Sequence, residues 1–483
     1  MLFNSIEFLV FFPVVTALYF LLPHRLRWAH LLVASCVFYM GFIPAYILIL
    51  GFTIVVDYFA GILIEGAWGR RRKAYLLMSI VANVGVLAVF KYYNFLNRAA
   101  ADLAGLLGVG YAVPFLALAL PIGLSFHTFQ AMSYTIEVYR SRQRAERHFG
   151  IYSLYVMFYP QLVAGPIERP QNLLRQFYER HEFEYERVTN GLKLMLWGMF
   201  KKVVIADRLA VYVDAVYNAP QEWGGQTLAV ATVFFAFQIY CDFSGYSDIA
   251  IGAAQVMGFR LMTNFNRPYH AQSVSEFWKR WHISLSTWFR DYLYLPLGGS
   301  RVPKRRWYFN LFFTFLVSGI WHGANWTFVA WGALNGSYLL CSIWTRGLRA
   351  RLVKFVGLDA RPALHRAFKI VFTFGLTCYA WIFFRANSIA DAVYINRAIA
   401  SAALDPLRGA GAVLAPMPRS ETALALFFIA FMELMHLVQR KRGMRAMLAE
   451  RPAWFRWAVY YALTAAILLA GQFGGRQFIY FQF

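Results

Sequence analysis

Two histidines stand where an ionisable side chain is costly. His322 lies in SGIWHGANW, residues 318–326, inside a run from 307 to 345 that holds no Asp, Glu, Lys or Arg. An ionisable group at membrane depth usually faces a cavity or a partner. Burial disfavours the imidazolium, so a neutral ring able to accept a proton is expected there. That is the starting state of a general base. Ser318 and Asn325 are near enough in sequence to set its tautomer. The bland alternative is a helix-packing histidine satisfied by hydrogen bonds.

His282 lies in SVSEFWKRWHISLSTWFRDYLYLPLGG, residues 273–299. The spacing reads as one helix, opened by Ser273 or Ser275 and closed near Pro296. Phe277, Trp278, Trp281, Leu285, Trp288, Phe289 and Tyr292 would share a face, with His282 at its edge, ~40° from Trp278 at ~100° per residue. Lys279 and Arg290 fall opposite, flanked by Arg280 and Asp291, and Ile283 alone breaks the pattern. The histidine should point inward and the cations toward water or headgroups. An aromatic membrane-surface helix with a hydrogen-bonded core histidine fits the same spacing.

Other polar groups are less specific. Asp242 and Asp248, in YCDFSGYSDIAIG, either orient a histidine, line a polar cavity or hold a bent helix as paired carboxylates. AGPIERP, residues 164–170, reads as a turn, and His127 in PIGLSFHTFQ as a packing residue. HExxH, CxxC, GxSxG and Walker A spacings are missing. His282 and His322 are far apart with no obvious third ligand, so no metal is expected. Cys36, Cys241, Cys341 and Cys378 read as small buried hydrophobes.

Groups like these need elements that hold them in lipid. The chain has 483 residues, 59% hydrophobic and only 15% charged, against about 25% charged in soluble domains. Many runs approach the ~20 apolar residues of a bilayer span. The first apolar run lacks a basic leader and a small-residue cleavage site, so it reads as a retained span. The 307–345 run would measure ~58 Å as one helix, against ~30 Å of hydrocarbon, so it must break, with Gly319 and Gly323 marking the place. The net charge is +23, and many basic residues cluster between apolar runs: Arg70 to Lys73; Arg140, Arg142, Arg144 and Arg147; Arg440, Lys441 and Arg442. That pattern signals topology beside anionic lipid and argues against nucleic acid. With the first two clusters cytoplasmic, the N-terminus is extracytoplasmic. Residues 188–216 mix apolar residues with Lys193, Lys201, Lys202, Asp207, Arg208 and Asp214, which suggests an amphipathic surface helix.

NFNRPYHAQSVSEFWKRWHISLSTWFRDYLYLPLGG followed by SGIWHGANWTFVAWG resembles the membrane-bound O-acyltransferase family, in its bacterial alginate O-acetylation branch. CDFSGYSDIAIG, PIGLSFHTFQ, AGPIERP and the closing FIYFQF are similar too. The resemblance implies an all-α multipass fold with about 9–12 transmembrane or re-entrant helices around a central funnel or tunnel. It implies one domain over 1–483, with 264–306 interfacial and 307–345 broken. His322 matches the family's catalytic histidine and His282 its second active-site histidine. His127 departs from the pattern, where tyrosine is common, and receives no catalytic role.

The implied activity is acetyl transfer from a cytoplasmic donor, acetyl-CoA, with no bound cofactor. An extracytoplasmic acetyltransferase- or esterase-like partner would complete transfer to a polysaccharide such as alginate, and cellulose and peptidoglycan stay open. The place is the bacterial inner membrane, among lipid. Trp321, Asn325, Asp242, Lys279, Arg280 and Arg290 are expected to contact substrate or donor. Arg301, Lys304, Arg305 and Arg306 suit donor phosphates but equally suit topology. A non-catalytic carrier of polymer or acyl-lipid is the competing class. Cleavage of labelled acetyl-CoA that depends on His322 separates the two.

Overall fold

The computed structural model describes residues 1–117, 120–405, 410–439, 443–474 and 478–481. The cluster Arg440, Lys441 and Arg442 lies outside them, as do Gln482 and Phe483. Every regular element among the described residues is helical, as expected of a chain whose backbone polar groups cannot find water in lipid. Among the described residues, six helices are long and apolar enough to cross a membrane: Pro44–Gly66, Gly69–Leu106, Gly225–Met257, Pro362–Arg385, Arg419–Val438 and Ala453–Ala470. Other helices fall outside that set by length or polarity. Ile6–Leu21 has only 16 residues, and Lys304–His322 opens on three basic residues.

Two compact units divide the chain. The first holds Met1–Met195, Ser247–Met262 and Tyr480–Phe483; the second holds Leu196–Tyr246 and Thr263–Ile479.

In the first unit, the two early basic clusters approach one another. Arg72 donates to the Val138 carbonyl at 3.0 Å and to Ser141 Oγ at 2.7 Å, and Arg147 pairs with Glu65. The AGPIERP turn is locked by buried Glu168. Its carboxylate accepts from the Met262 N–H and from Asn172 Nδ2, the latter at 2.7 Å. Burial, against those hydrogen bonds, pushes the Glu168 carboxyl up to about 7. His127 is buried here on helix Leu124–Tyr139, in a different unit from His282 and His322.

In the second unit, the expected surface helix is corrected. Lys201, Lys202, Asp207 and Arg208 are all buried. Lys202 Nζ bridges Asp207 at 2.9 Å and Asp242 at 2.8 Å, Lys201 donates to Ser244 Oγ at 2.9 Å, and Arg208 pairs with Glu421. Charges that neutralise one another can be taken inside, which a single-helix wheel cannot reveal. Burial alone would lower the Lys202 pKa, but Asp242 and Asp207 outweigh it and hold the ammonium above its usual value. Cys341 also departs from expectation, being exposed.

The 307–345 run is a hairpin of Lys304–His322 and Trp326–Trp344. Gly323 to Asn325 form the turn, and Asn325 Oδ1 caps the second helix by accepting from the Thr327 N–H at 3.1 Å. Gly323 is therefore at the break, but Gly319 is not. A Cβ on Gly319 would lie 2.4 Å from the Phe328 carbonyl oxygen and 2.8 Å from Gly332 Cα. A Cβ on Gly332 would meet the Phe315 carbonyl at 2.6 Å, and one on Gly336 would meet Phe312 Cα at 3.2 Å. These contacts step antiparallel along the hairpin, so glycine lets the two backbones touch.

Candidate active site

The hairpin places His322 at the last turn of its first helix. The ring is buried, 5% exposed, and edge-on to Trp321 at 4.9 Å, Trp331 at 5.0 Å and Phe384 at 5.3 Å. These rings come from both arms of the hairpin and from Pro362–Arg385. Neither predicted neighbour is seen to set the tautomer. Asn325 uses Oδ1 for its cap and donates Nδ2 to the Asn387 carbonyl at 3.1 Å. Ser318 is buried beside it in the same helix.

His282 is not on a continuous helix. Ser273 caps Val274–Trp278, accepting from the Glu276 N–H at 3.1 Å, while Glu276 accepts from the Gln272 N–H at 2.8 Å. The chain then turns, and His282 adopts φ +42° before Ile283–Phe289 begins. A left-handed histidine costs about 1–2 kcal/mol. Such strain persists only where the surroundings over-determine it. Here the holder is 264–266: Ile283 N–H donates to the Asn264 carbonyl at 2.9 Å and Asn266 N–H to the Arg280 carbonyl at 2.9 Å. The expected wheel fails because the break re-aims every side chain beyond Lys279.

Asn264 is the candidate positioning residue that sequence reasoning missed. Its Oδ1 accepts from the Ser284 N–H at 3.3 Å and from Ser284 Oγ at 3.0 Å. A backbone N–H can only donate, so that atom is the oxygen. His282 Nδ1, 3.0 Å from it, must then carry the proton, and Nε2 keeps the lone pair. Burial pushes the His282 imidazole down to about 3, so the ring is neutral. Asn264 lies inside a motif stretch, but nothing local marks it, because its partner is 18 residues away.

An aromatic wall joins the two histidines. His282 packs edge-on to Phe243 at 4.6 Å, Phe243 to Phe265 at 5.0 Å, and Phe265 to Trp281 at 5.1 Å. Trp281 meets Trp381 at 5.1 Å, Trp381 stacks on Trp331 at 6.1 Å, and Trp331 abuts His322. Trp281, Trp331 and Trp381 are each 1% exposed. Such contacts contribute about 0.5–1.5 kcal/mol per pair, and six in series make a stiff frame. Trp321 also approaches Phe289 at 6.4 Å, which ties the helix after His282 to the end of the His322 helix.

The remaining expected residues separate. Asp242 is 3% exposed, and its carboxylate is held by Lys202 and by the Ile479 N–H at 2.9 Å. That matches the paired-carboxylate alternative. Lys279 and Arg290 are exposed, as are Arg301, Lys304, Arg305 and Arg306. Arg280 is half-buried and pairs with Glu276 at 2.6 Å; Arg290 pairs with Asp291 at 2.7 Å.

Comparison with known proteins gives the family. A model of the membrane-bound O-acyltransferase family matches residues 72–386. The chain is 40% identical over 394 residues to the probable alginate O-acetylase AlgI of Pseudomonas aeruginosa, covering 80% of this chain and 73% of that one. It is 33% identical over 430 residues to the peptidoglycan O-acetyltransferase of Helicobacter pylori, covering 82% and 79%. It is also 28% identical over 258 residues to the teichoic acid D-alanyltransferase of Streptococcus thermophilus, covering 47% and 57%.

Proposed function

Since this chain belongs to the membrane-bound O-acyltransferase family and is a multipass membrane O-acetyltransferase, we propose that it moves acetyl groups from acetyl-CoA to an extracytoplasmic polysaccharide, with His322 and His282 at the reacting centre. Alginate is the favoured acceptor, because five of the relatives are probable alginate O-acetylases. Peptidoglycan is the second reading, favoured by the Helicobacter relative. The place is the bacterial inner membrane, and an extracytoplasmic partner of esterase-like chemistry completes the transfer.

The observation that carries the mechanism is the shared aromatic wall, which holds two buried imidazoles against one apolar frame. An acceptor hydroxyl oxygen attacks the thioester carbonyl carbon. Its proton passes to the imidazole of His322, the carbon–sulfur bond breaks, and the departing thiolate takes the proton. His282, with Nδ1–H held by Asn264, presents the Nε2 lone pair to a donor in the reacting group and so orients it. Water exclusion by the tryptophans strengthens each of these interactions and limits hydrolysis of the thioester. The exposed cations Lys279, Arg290, Arg301, Lys304, Arg305 and Arg306 suit the donor's phosphates.

His322→Ala abolishes polymer O-acetylation at normal protein abundance. Acetylation retained in that variant sinks the mechanism. Thioester cleavage that never depends on His322, with candidate partners present, favours a carrier.

A further inference from the structure

A second cluster lies outside the acyl-transfer residues. His270 closes the short turn Pro268–His270. Glu433 and His436 sit one turn apart near the end of Arg419–Val438. His270 Nε2 is 2.7 Å from Glu433 Oε2, and His436 Nδ1 is 3.2 Å from Glu433 Oε1. One donor atom from each residue fits within a set whose members all lie within 4.8 Å of one another. We propose that His270 Nε2, His436 Nδ1 and a Glu433 oxygen bind a zinc ion.

The donor set and its spacing carry the proposal. Zinc bonds of ~2.0–2.2 Å place neighbouring tetrahedral ligands ~3.3 Å apart. The two imidazoles already meet the carboxylate on that scale, one on each oxygen, and one ligand atom from each residue lies within 4.8 Å of the others. Two imidazoles with one carboxylate suit zinc, whereas magnesium and calcium prefer all-oxygen sets. The outer contacts fit as well. His436 Nε2 is 3.3 Å from Tyr240 Oη, so its Nε2–H can donate there and leave Nδ1 as the metal ligand, the usual support for a ligating histidine. Arg267 donates to the His436 carbonyl at 3.4 Å, which closes the helix end around the site. Sequence motifs point to no metal because 163 residues separate His270 from Glu433.

The ion would clip the 264–272 loop to the Arg419–Val438 helix. Asn264, at the start of that loop, holds His282. Tyr240, beside His436, packs on Tyr269 at 5.6 Å and on Trp281 at 6.3 Å. Metal binding would therefore stiffen the frame around His282 without touching substrate. Zinc occupancy does not depend on the acyl-transfer reading, so either can fail alone.

The test uses the full chain, purified in detergent without chelator and then incubated with zinc sulfate. Elemental analysis should find about one zinc per chain. His270→Ala, His436→Ala and Glu433→Gln should each lower zinc affinity by more than the roughly 10- to 100-fold that loss of an outer-shell partner costs. Cobalt(II) added to the metal-free wild type should give the intense visible bands of a tetrahedral site, which decides the matter even where a variant misfolds. A chelator should lower the melting temperature of the wild type but leave that of His270→Ala unchanged. Wild-type protein that binds neither zinc nor cobalt stoichiometrically overturns the proposal and leaves a hydrogen-bonded His–Glu–His group. Zinc content equal in the wild type and all three variants overturns it too, because the ion then sits elsewhere.

Discussion

Replacing Asn264 with leucine tests whether His282 is positioned for chemistry or merely packed. Leucine has the same branching and the same number of side-chain heavy atoms but offers no acceptor. Three donors meet at Asn264 Oδ1: His282 Nδ1–H, Ser284 N–H and Ser284 Oγ–H. A buried donor left without an acceptor costs about 1–3 kcal/mol. For His282 that penalty falls on the tautomer with its lone pair on Nε2. At 1.36 kcal/mol per tenfold, its population drops about 5- to 150-fold. Thioester cleavage should lose kcat by that factor, with KM within about twofold of wild type, because nothing that contacts the donor has changed. Asn264→Asp retains the acceptor and holds the same tautomer. It should keep more activity than the leucine variant and shift the acid limb of the pH–rate profile upward, since a carboxylate favours the imidazolium. The assay is acetyl release from labelled acetyl-CoA by detergent-purified protein, with melting temperature as the folding control. Wild-type kcat in a well-folded Asn264→Leu protein refutes the positioning role. Equal losses in both variants reduce Asn264 to a structural residue.

Gly319→Ala places a methyl 2.4 Å from the Phe328 carbonyl and 2.8 Å from Gly332 Cα, so the hairpin arms must part by about 1 Å; a shift of that size costs up to about 10²-fold in kcat, and an active Gly319→Ala enzyme contradicts the tight hairpin. Lys202→Met strands the carboxylates of Asp207 and Asp242 in a buried site and should cost about 3–5 kcal/mol, read as a large fall in melting temperature that Lys202→Arg partly spares. The His282 imidazole is pushed from 6.5 down to about 3, so its stabilising contribution is complete above pH 6.5 and is lost as pH falls toward 3, at up to ~1.4 kcal/mol per pH unit. Glu168 has the opposite sign: its carboxyl, raised from 4.5 to about 7, contributes below pH 4.5 and loses that contribution as pH rises through 7. Melting curves across that range should show His282→Gln flattening the acid side and Glu168→Gln the limb between those two values; unchanged limbs contradict the burial of either group.

Much of the site was legible in the linear chain because its signals are local. A charge-free run twice the length of a span has to fold back, and Gly323 sits at that turn. The cap at Ser273 is short-range chemistry, and the two histidines announce themselves by residue type in apolar surroundings. Periodicity misled at residues 273–296, where a left-handed residue resets the wheel at His282. It misled again at 188–216, where Lys202 and Arg208 find carboxylates far along the chain and go inside.

What composition and spacing determined by themselves was a helical membrane protein with two out-of-place imidazoles, because hydropathy, breaks and caps act within a few residues. What only the tertiary structure decided was how those imidazoles are held. Asn264 sets one tautomer across 18 residues. Tryptophans from separate helices enclose the other ring. Asp242 turns out to anchor a buried lysine. Side-chain hydrogen bonds and ion pairs are set by distance in space, and distance in space is what a linear pattern does not contain.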